Sequence, residues 1–171
     1  SQARGANSIT LVNGGTIGIA AVFNPTATFA GGNYIITGNT IDFNGSIPQT
    51  IPAFNYNNLT SSNTGARTLA NSGNIGIAGV FTPGTNAYTI TGSTVVFNGS
   101  APQTLPPTFT TYNNLTLNNV AGVTGFAGLT VQGLLRVQAG TFTSSSIYND
   151  VQIDIGATLA GTNATTINVG G

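Results

Sequence analysis

Gly15-Thr-Ile-Gly-Ile-Ala-Ala-Val-Phe-Asn-Pro25 is written a second time as Gly73-Asn-Ile-Gly-Ile-Ala-Gly-Val-Phe-Thr-Pro83. Two more stretches repeat in the same order. Phe43-Asn-Gly-Ser-Ile-Pro-Gln-Thr-Ile-Pro52 returns as Phe97-Asn-Gly-Ser-Ala-Pro-Gln-Thr-Leu-Pro106, and Tyr56-Asn-Asn-Leu-Thr60 returns as Tyr112-Asn-Asn-Leu-Thr116. The offsets are 58, 54 and 56 residues. Self-similarity at a near-fixed period marks a repeat architecture, in which each unit buries its apolar face only by stacking on a neighbour.

Within each unit the period is two. Ile17 and Ile19, Ile41 and Phe43, Leu115 and Leu117, Leu129 and Val131, and Ile153 and Ile155 all alternate with Gly, Asp or Thr. Alternation over a few residues rich in Thr, Val, Ile and Phe reads as strand. Asn13-Gly14, Asn44-Gly45, Pro83-Gly84 and Asn98-Gly99 supply turns between the runs. No segment carries the spacing of an amphipathic helix, so essentially no helix is expected.

Short strands and frequent turns fit a β-solenoid, or alternatively a β-sandwich of the jelly-roll, pilin-like kind. The repeat favours the solenoid, because there each coil sits on the one before and like residues stack on like. We read one repeat domain over residues 1–171, with units at 8–65 and 66–124 and a partial, diverged one at 125–171. Each unit is expected to make three coils of about 18–20 residues. Nine coils at about 4.8 Å each make a rod of about 43 Å.

The charge content sets this chain apart. Of 171 residues, three are Arg (Arg4, Arg67, Arg136) and three Asp (Asp42, Asp150, Asp154), with no Lys, Glu, His or Cys. Zero net charge gives no pull on nucleic acid or an anionic membrane and little repulsion between copies. No apolar run reaches the length of a membrane helix. Without His or Cys, zinc binding and Ser–His or Cys–His catalysis are excluded, and no glycine-rich loop ends in Lys. A chain rich in Thr, Asn and Gly and free of Lys and Cys reads as an extracellular bacterial surface protein.

The run Gly79-Val-Phe-Thr-Pro-Gly84, Val95-Val-Phe-Asn-Gly-Ser100, Pro102-Gln-Thr-Leu105, Tyr112-Asn-Asn-Leu-Thr-Leu117, Gly122-Val-Thr124, Leu129-Thr-Val-Gln-Gly133 and Gly140-Thr-Phe142 resembles the repeats of large secreted, adhesin-like β-helical surface proteins of Bacteroidetes-type bacteria. The resemblance covers most of residues 66–142. It implies an extended β structure at the cell surface, and it brings no catalytic residues with it.

Candidate sites are few. Asp150 and Asp154 lie four apart, which on one strand sets them on the same face about 13 Å from each other, wider than the roughly 5–9.5 Å of a glycosidase pair. With Asn149 they are also the one oxygen-rich group suited to Ca²⁺. Five Asn-x-Ser/Thr acceptors occur at Asn44, Asn58, Asn98, Asn114 and Asn163, which is about the number chance supplies at this composition. Their structural role is turns and Asn ladders. Thr26/Thr28, Thr89/Thr91, Thr108/Thr110 and Thr141/Thr143 form Thr-x-Thr pairs, as on an ice-binding face, but at no common repeat position. Tyr34, Tyr56, Tyr88, Tyr112 and Tyr148 could stack on carbohydrate, though aromatics in repeats mostly pack inward.

These readings assign no catalytic, cofactor or metal residues. They give a structural subunit of an extracellular fibre or an adhesin stalk, with a carbohydrate- or ice-binding module as the alternative. The entry into strand at Ile9 and the strand-like Thr165-Thr-Ile-Asn-Val169 show no cap, so head-to-tail or strand-donating contact with further copies is expected. Surface glycans are the other expected partner.

Overall fold

A computed structural model describes residues 14–25 and 37–161. Ile9, the Thr165–Val169 stretch, Thr26, Thr28, Tyr34 and Asn163 lie outside them. The fold is all-β with almost no helix, a β-solenoid of about seven turns, and not the sandwich. Short strands are laid on three sides. The long side is a six-stranded sheet of β4 (Phe54–Tyr56), β7 (Asn74–Ile77), β10 (Thr94–Phe97), β13 (Asn114–Asn118), β16 (Leu134–Ala139) and β18 (Asp150–Ile153).

The second side holds β1 (Thr16–Ile19), β2 (Thr40–Phe43), β5 (Asn58–Ser61) and β8 (Phe81–Thr82), then β11 (Gln103–Thr104), β14 (Val123–Thr124), β17 (Thr141–Ser144) and β19 (Thr158–Gly161). The third holds β3 (Gln49–Ile51), β6 (Arg67–Leu69) and β9 (Tyr88–Thr89), then β12 (Thr111–Tyr112) and β15 (Thr130–Val131). From β4 to β15 the chain visits the three sides in fixed rotation; on the long side each strand pairs in parallel with the one a coil earlier, while on the other two sides the ladder is interrupted between β8 and β11 and between β9 and β12.

Alternation decides what faces in. On the long side, Phe54, Ile75, Val95, Leu115, Leu135 and Val151 stack in one column by register. Tyr56, Ile77, Phe97, Leu117 and Val137 stack in the next, all buried. Aromatic groups fill the interior at two levels. Phe23, Phe43, Phe54 and Tyr56 meet mostly edge to face, as do Phe81, Tyr88, Phe109 and Tyr112.

The expectation that like stacks on like is corrected. The copy of β2 is β10, that of β3 is β11, that of β4 is β12 and that of β5 is β13, eight strands further on in all four cases. Three strands make a coil, so one repeat advances two coils and two thirds rather than three, and each copy lands on a different side. Ile17 stacks on Ile41, whereas its copy Ile75 stacks on Phe54 and Val95 in another sheet. The looser third unit behaves differently: Leu135 lies nine strands beyond Ile75's β7 and shares its column. Coil length also varies more than expected, from 16 residues between Leu134 and Asp150 to 24 between Thr16 and Thr40. Apolar columns tolerate any side chain of suitable volume, so packing does not force the copies into register.

Candidate functional site

What the sequence repeats is a set of corners. In Phe43-Asn-Gly-Ser-Ile-Pro-Gln49 the Gln49 side chain folds back into the interior. Its Oε1 accepts from the Gly45 N–H at 2.8 Å, and its Nε2 donates to the Ile19 and Ala21 carbonyls of the coil below at 2.8 and 2.7 Å. Gln103 repeats this on the second side, binding the Gly99 N–H and the Ile77 and Gly79 carbonyls. Asn119 adds a donor to Gln103 Oε1. One amide thus satisfies three backbone groups that the corner takes out of the sheet ladder.

The Tyr-Asn-Asn-Leu-Thr motif builds the opposite corner. Tyr56 and Tyr112 turn inward, and Asn58 and Asn114 accept from the Val80 and Leu134 N–H groups of the coil above, both at 3.0 Å. This needs Gly79 and Gly133, where a Cβ would sit 2.3 Å from Asn58 Oδ1 and 2.4 Å from Asn114 Oδ1. Asn58 and Asn114, two of the glycosylation acceptors, therefore hold neighbouring coils together.

The remaining candidates resolve one by one. Asp154 is clamped by Arg136: Nη2 donates to Oδ2 at 2.6 Å and Nε to both oxygens at 3.2 Å, while Gln152 Nε2 donates to Oδ1 at 2.8 Å. The Arg136 hydrogen bond holds the Asp154 carboxyl below the usual carboxylate range. Asp150 stands in register with Leu134 one coil below and takes no part in this clamp. Asp42 caps Ser62, accepting from its N–H and hydroxyl.

Tyr56, Tyr112 and Tyr148 are buried and Tyr88 half-buried, so these four present no stacking face. Nor do the described Thr-x-Thr pairs align. What does align is single threonines, one per coil: Thr50, Thr68 and Thr89 on the third side, and Thr104, Thr124 and Thr143 on the second. Stacking register across coils, invisible to a search along the chain, creates these columns.

The outer surface of the long sheet is a trough of about 530 Å³. Its floor is the middle outward column, Gly76, Val96 and Thr116, in register on consecutive strands. Longer amides rise on both sides, Asn74 and Asn114 along one wall and Asn118 and Gln138 along the other. Asn55 lies below the floor and Arg136 above it in the same column. Sequence reading missed the trough because its floor and walls are one residue from each coil, separated by about twenty positions in the chain.

Comparison of the chain with protein-family models, with curated proteins and with solved structures finds no match.

Proposed function

We propose that this chain is a rigid, non-catalytic spacer of an extracellular fibre or cell-surface stalk, extended by stacking further coils on its own. The observation that carries the reading is the uninterrupted parallel ladder from β4 to β18, six strands on one axis over a single apolar core. In such a solenoid length grows by adding coils without redesigning the core, at about 4.8 Å per coil. The chemistry supports the same role. Of the described charged groups, Arg67 is buried as a backbone tie, Arg136 and Asp154 bind each other, and Asp42 caps a turn.

Copies of the chain are the proposed partners. β18 and β19 each pair with one strand only among the described residues, and an open strand edge is a template for another. Near-zero net charge leaves little repulsion against such contact. The extracellular location rests on composition and on the resemblance to secreted adhesin-like repeats.

The test is electron microscopy of the purified chain together with light scattering over a concentration series. Rods about 35 Å long per copy, joining end to end as concentration rises, support the reading. Particles that stay globular and monomeric at every concentration overturn it.

A further inference from the structure

We propose that the trough on the long sheet is a binding site for a neutral, hydroxyl-rich oligosaccharide lying along the solenoid axis. Its shape comes from register: Gly76, Val96 and Thr116 make a floor that spans three strands, about 10 Å, and the flanking columns stand higher. Gly76 is needed for the depth. A Cβ there would meet Asn55 Oδ1 at 2.3 Å and Asn98 Nδ2 at 3.1 Å, so any side chain would displace the amides at the lower end.

Carboxamides and hydroxyls dominate the lining. The side-chain amides of Asn55, Asn74, Asn118 and Gln138 make no hydrogen bond among the described residues, unlike those of Asn58 and Asn114, which tie coils together. A carboxamide offers two donors and an acceptor at one position, and Thr94 and Thr116 offer hydroxyls. This is the complement of a ligand whose groups each donate and accept, as sugar hydroxyls do. Val96 gives the floor an apolar strip for the C–H edge of a ring.

Charge narrows the class. The one cation in the lining, Arg136, is already neutralised by Asp154, leaving its Nη1 as a donor. An acidic polymer finds no free positive charge here. A peptide finds no backbone to pair with, because the N–H and C=O groups of these strands are spent in the parallel ladder. The same trough on a stalk of many coils would meet a polysaccharide many times over, which turns weak single sites into avidity.

The experiment is titration of the purified chain with neutral hexaoses of the gluco-, manno-, xylo- and chito- series, with a polygalacturonate oligomer and an extended peptide as comparators. The expected result is binding of at least one neutral series at about millimolar concentration or tighter. Thr116→Trp, which plugs the floor from outside the core, is expected to abolish it. The double truncation Asn118→Ala with Gln138→Ala, which removes no intramolecular bond, is expected to weaken it about tenfold. Thr124→Trp, on another side, is expected to leave it unchanged, and circular dichroism checks the fold of each variant. Binding of none of the neutral series overturns the proposal. So does a preference for the acidic oligomer or the peptide, or binding that survives both trough variants. The microscopy of the spacer reading is independent of every one of these outcomes.

Discussion

Arg67 stands one coil above Gln49 in the same inward column, and the two side chains do the same work. Gln49 reaches the Ile19 and Ala21 carbonyls. Arg67, fully buried, sends Nη2 to the Phe43 and Gly45 carbonyls at 2.7 and 3.1 Å, the corner one coil higher. It also donates to Ser62 O, Gly65 O and Ser61 Oγ. A cation is thus held inside the solenoid by neutral oxygens alone, its desolvation offset by a full set of charge-assisted hydrogen bonds.

Arg67→Met should therefore cost about 2–4 kcal/mol, since several buried carbonyls lose their donor while the burden of a buried charge is lifted. Arg67→Lys should recover only part, because an ammonium has three donors and no planar fork. Urea unfolding checks both. A methionine variant as stable as the parent would mean the carbonyls find other partners.

Tyr56 and Tyr112 occupy the same place in the repeat but face opposite fates. Tyr56 Oη donates to the Pro52 carbonyl at 2.9 Å, whereas Tyr112 Oη is buried with no partner. Tyr56→Phe should destabilise by about 1 kcal/mol, and Tyr112→Phe should be neutral or stabilising by a similar amount. Opposite signs from two copies of one motif would be read directly from paired denaturation curves.

The Asn114–Gly133 contact makes a steric prediction. Gly133→Ala should destabilise by about 1–3 kcal/mol as the new methyl meets Asn114 Oδ1. In the background of Asn114→Ala the same change should cost less than half as much, a coupling a double-mutant cycle measures. Additive effects would show that the two residues do not bear on each other.

Much of this architecture was legible in the chain. Period-two alternation gave the strands, and the inward set of Ile75, Val95, Leu115 and Leu135 is the one the alternation marks. The repeat pointed correctly to stacked coils but misled on how copies stack. Copies such as Tyr56 and Tyr112 resemble each other because their corners are alike, and a three-sided corner repeats in steps of one strand, with no need to complete a coil. The trough and the threonine columns were not legible, because each takes one residue per coil and coil lengths vary from 16 to 24 residues. Arg67 read as one of three scattered charges, since nothing local announces that its guanidinium turns inward to reach the Phe43 and Gly45 carbonyls of the coil below as well as oxygens of its own corner.

On the acid side, the Arg136–Asp154 clamp sets a direction. The Asp154 carboxyl in the fold lies below its unfolded value. Its contribution is complete above the ordinary carboxylate pKa and is lost as pH falls through the lowered one. Amide hydrogen exchange in β18 should quicken below that point. Arg136→Gln should return the Asp154 titration to the usual carboxylate range and remove the pH dependence of β18, and an unchanged titration would show that the clamp does not form in solution.

On the alkaline side the tyrosines decide. Burial pushes the Tyr88 phenol up from 10.0 to about 12, and raises Tyr112 further. A phenol whose pKa is higher in the fold than in the unfolded chain contributes stability in full below pH 10 and loses it as pH climbs towards 12. The solenoid should therefore loosen over that window, with the ionisation of Tyr88 and Tyr112 accompanying the loss of β circular dichroism rather than preceding it. Tyr112→Phe removes the most buried of these phenols and should move the alkaline midpoint upward. If, in a Tyr34→Phe background, the tyrosinate signal develops near pH 10 while the β spectrum stays intact, these rings are exposed in solution and the inward aromatic columns are wrongly placed.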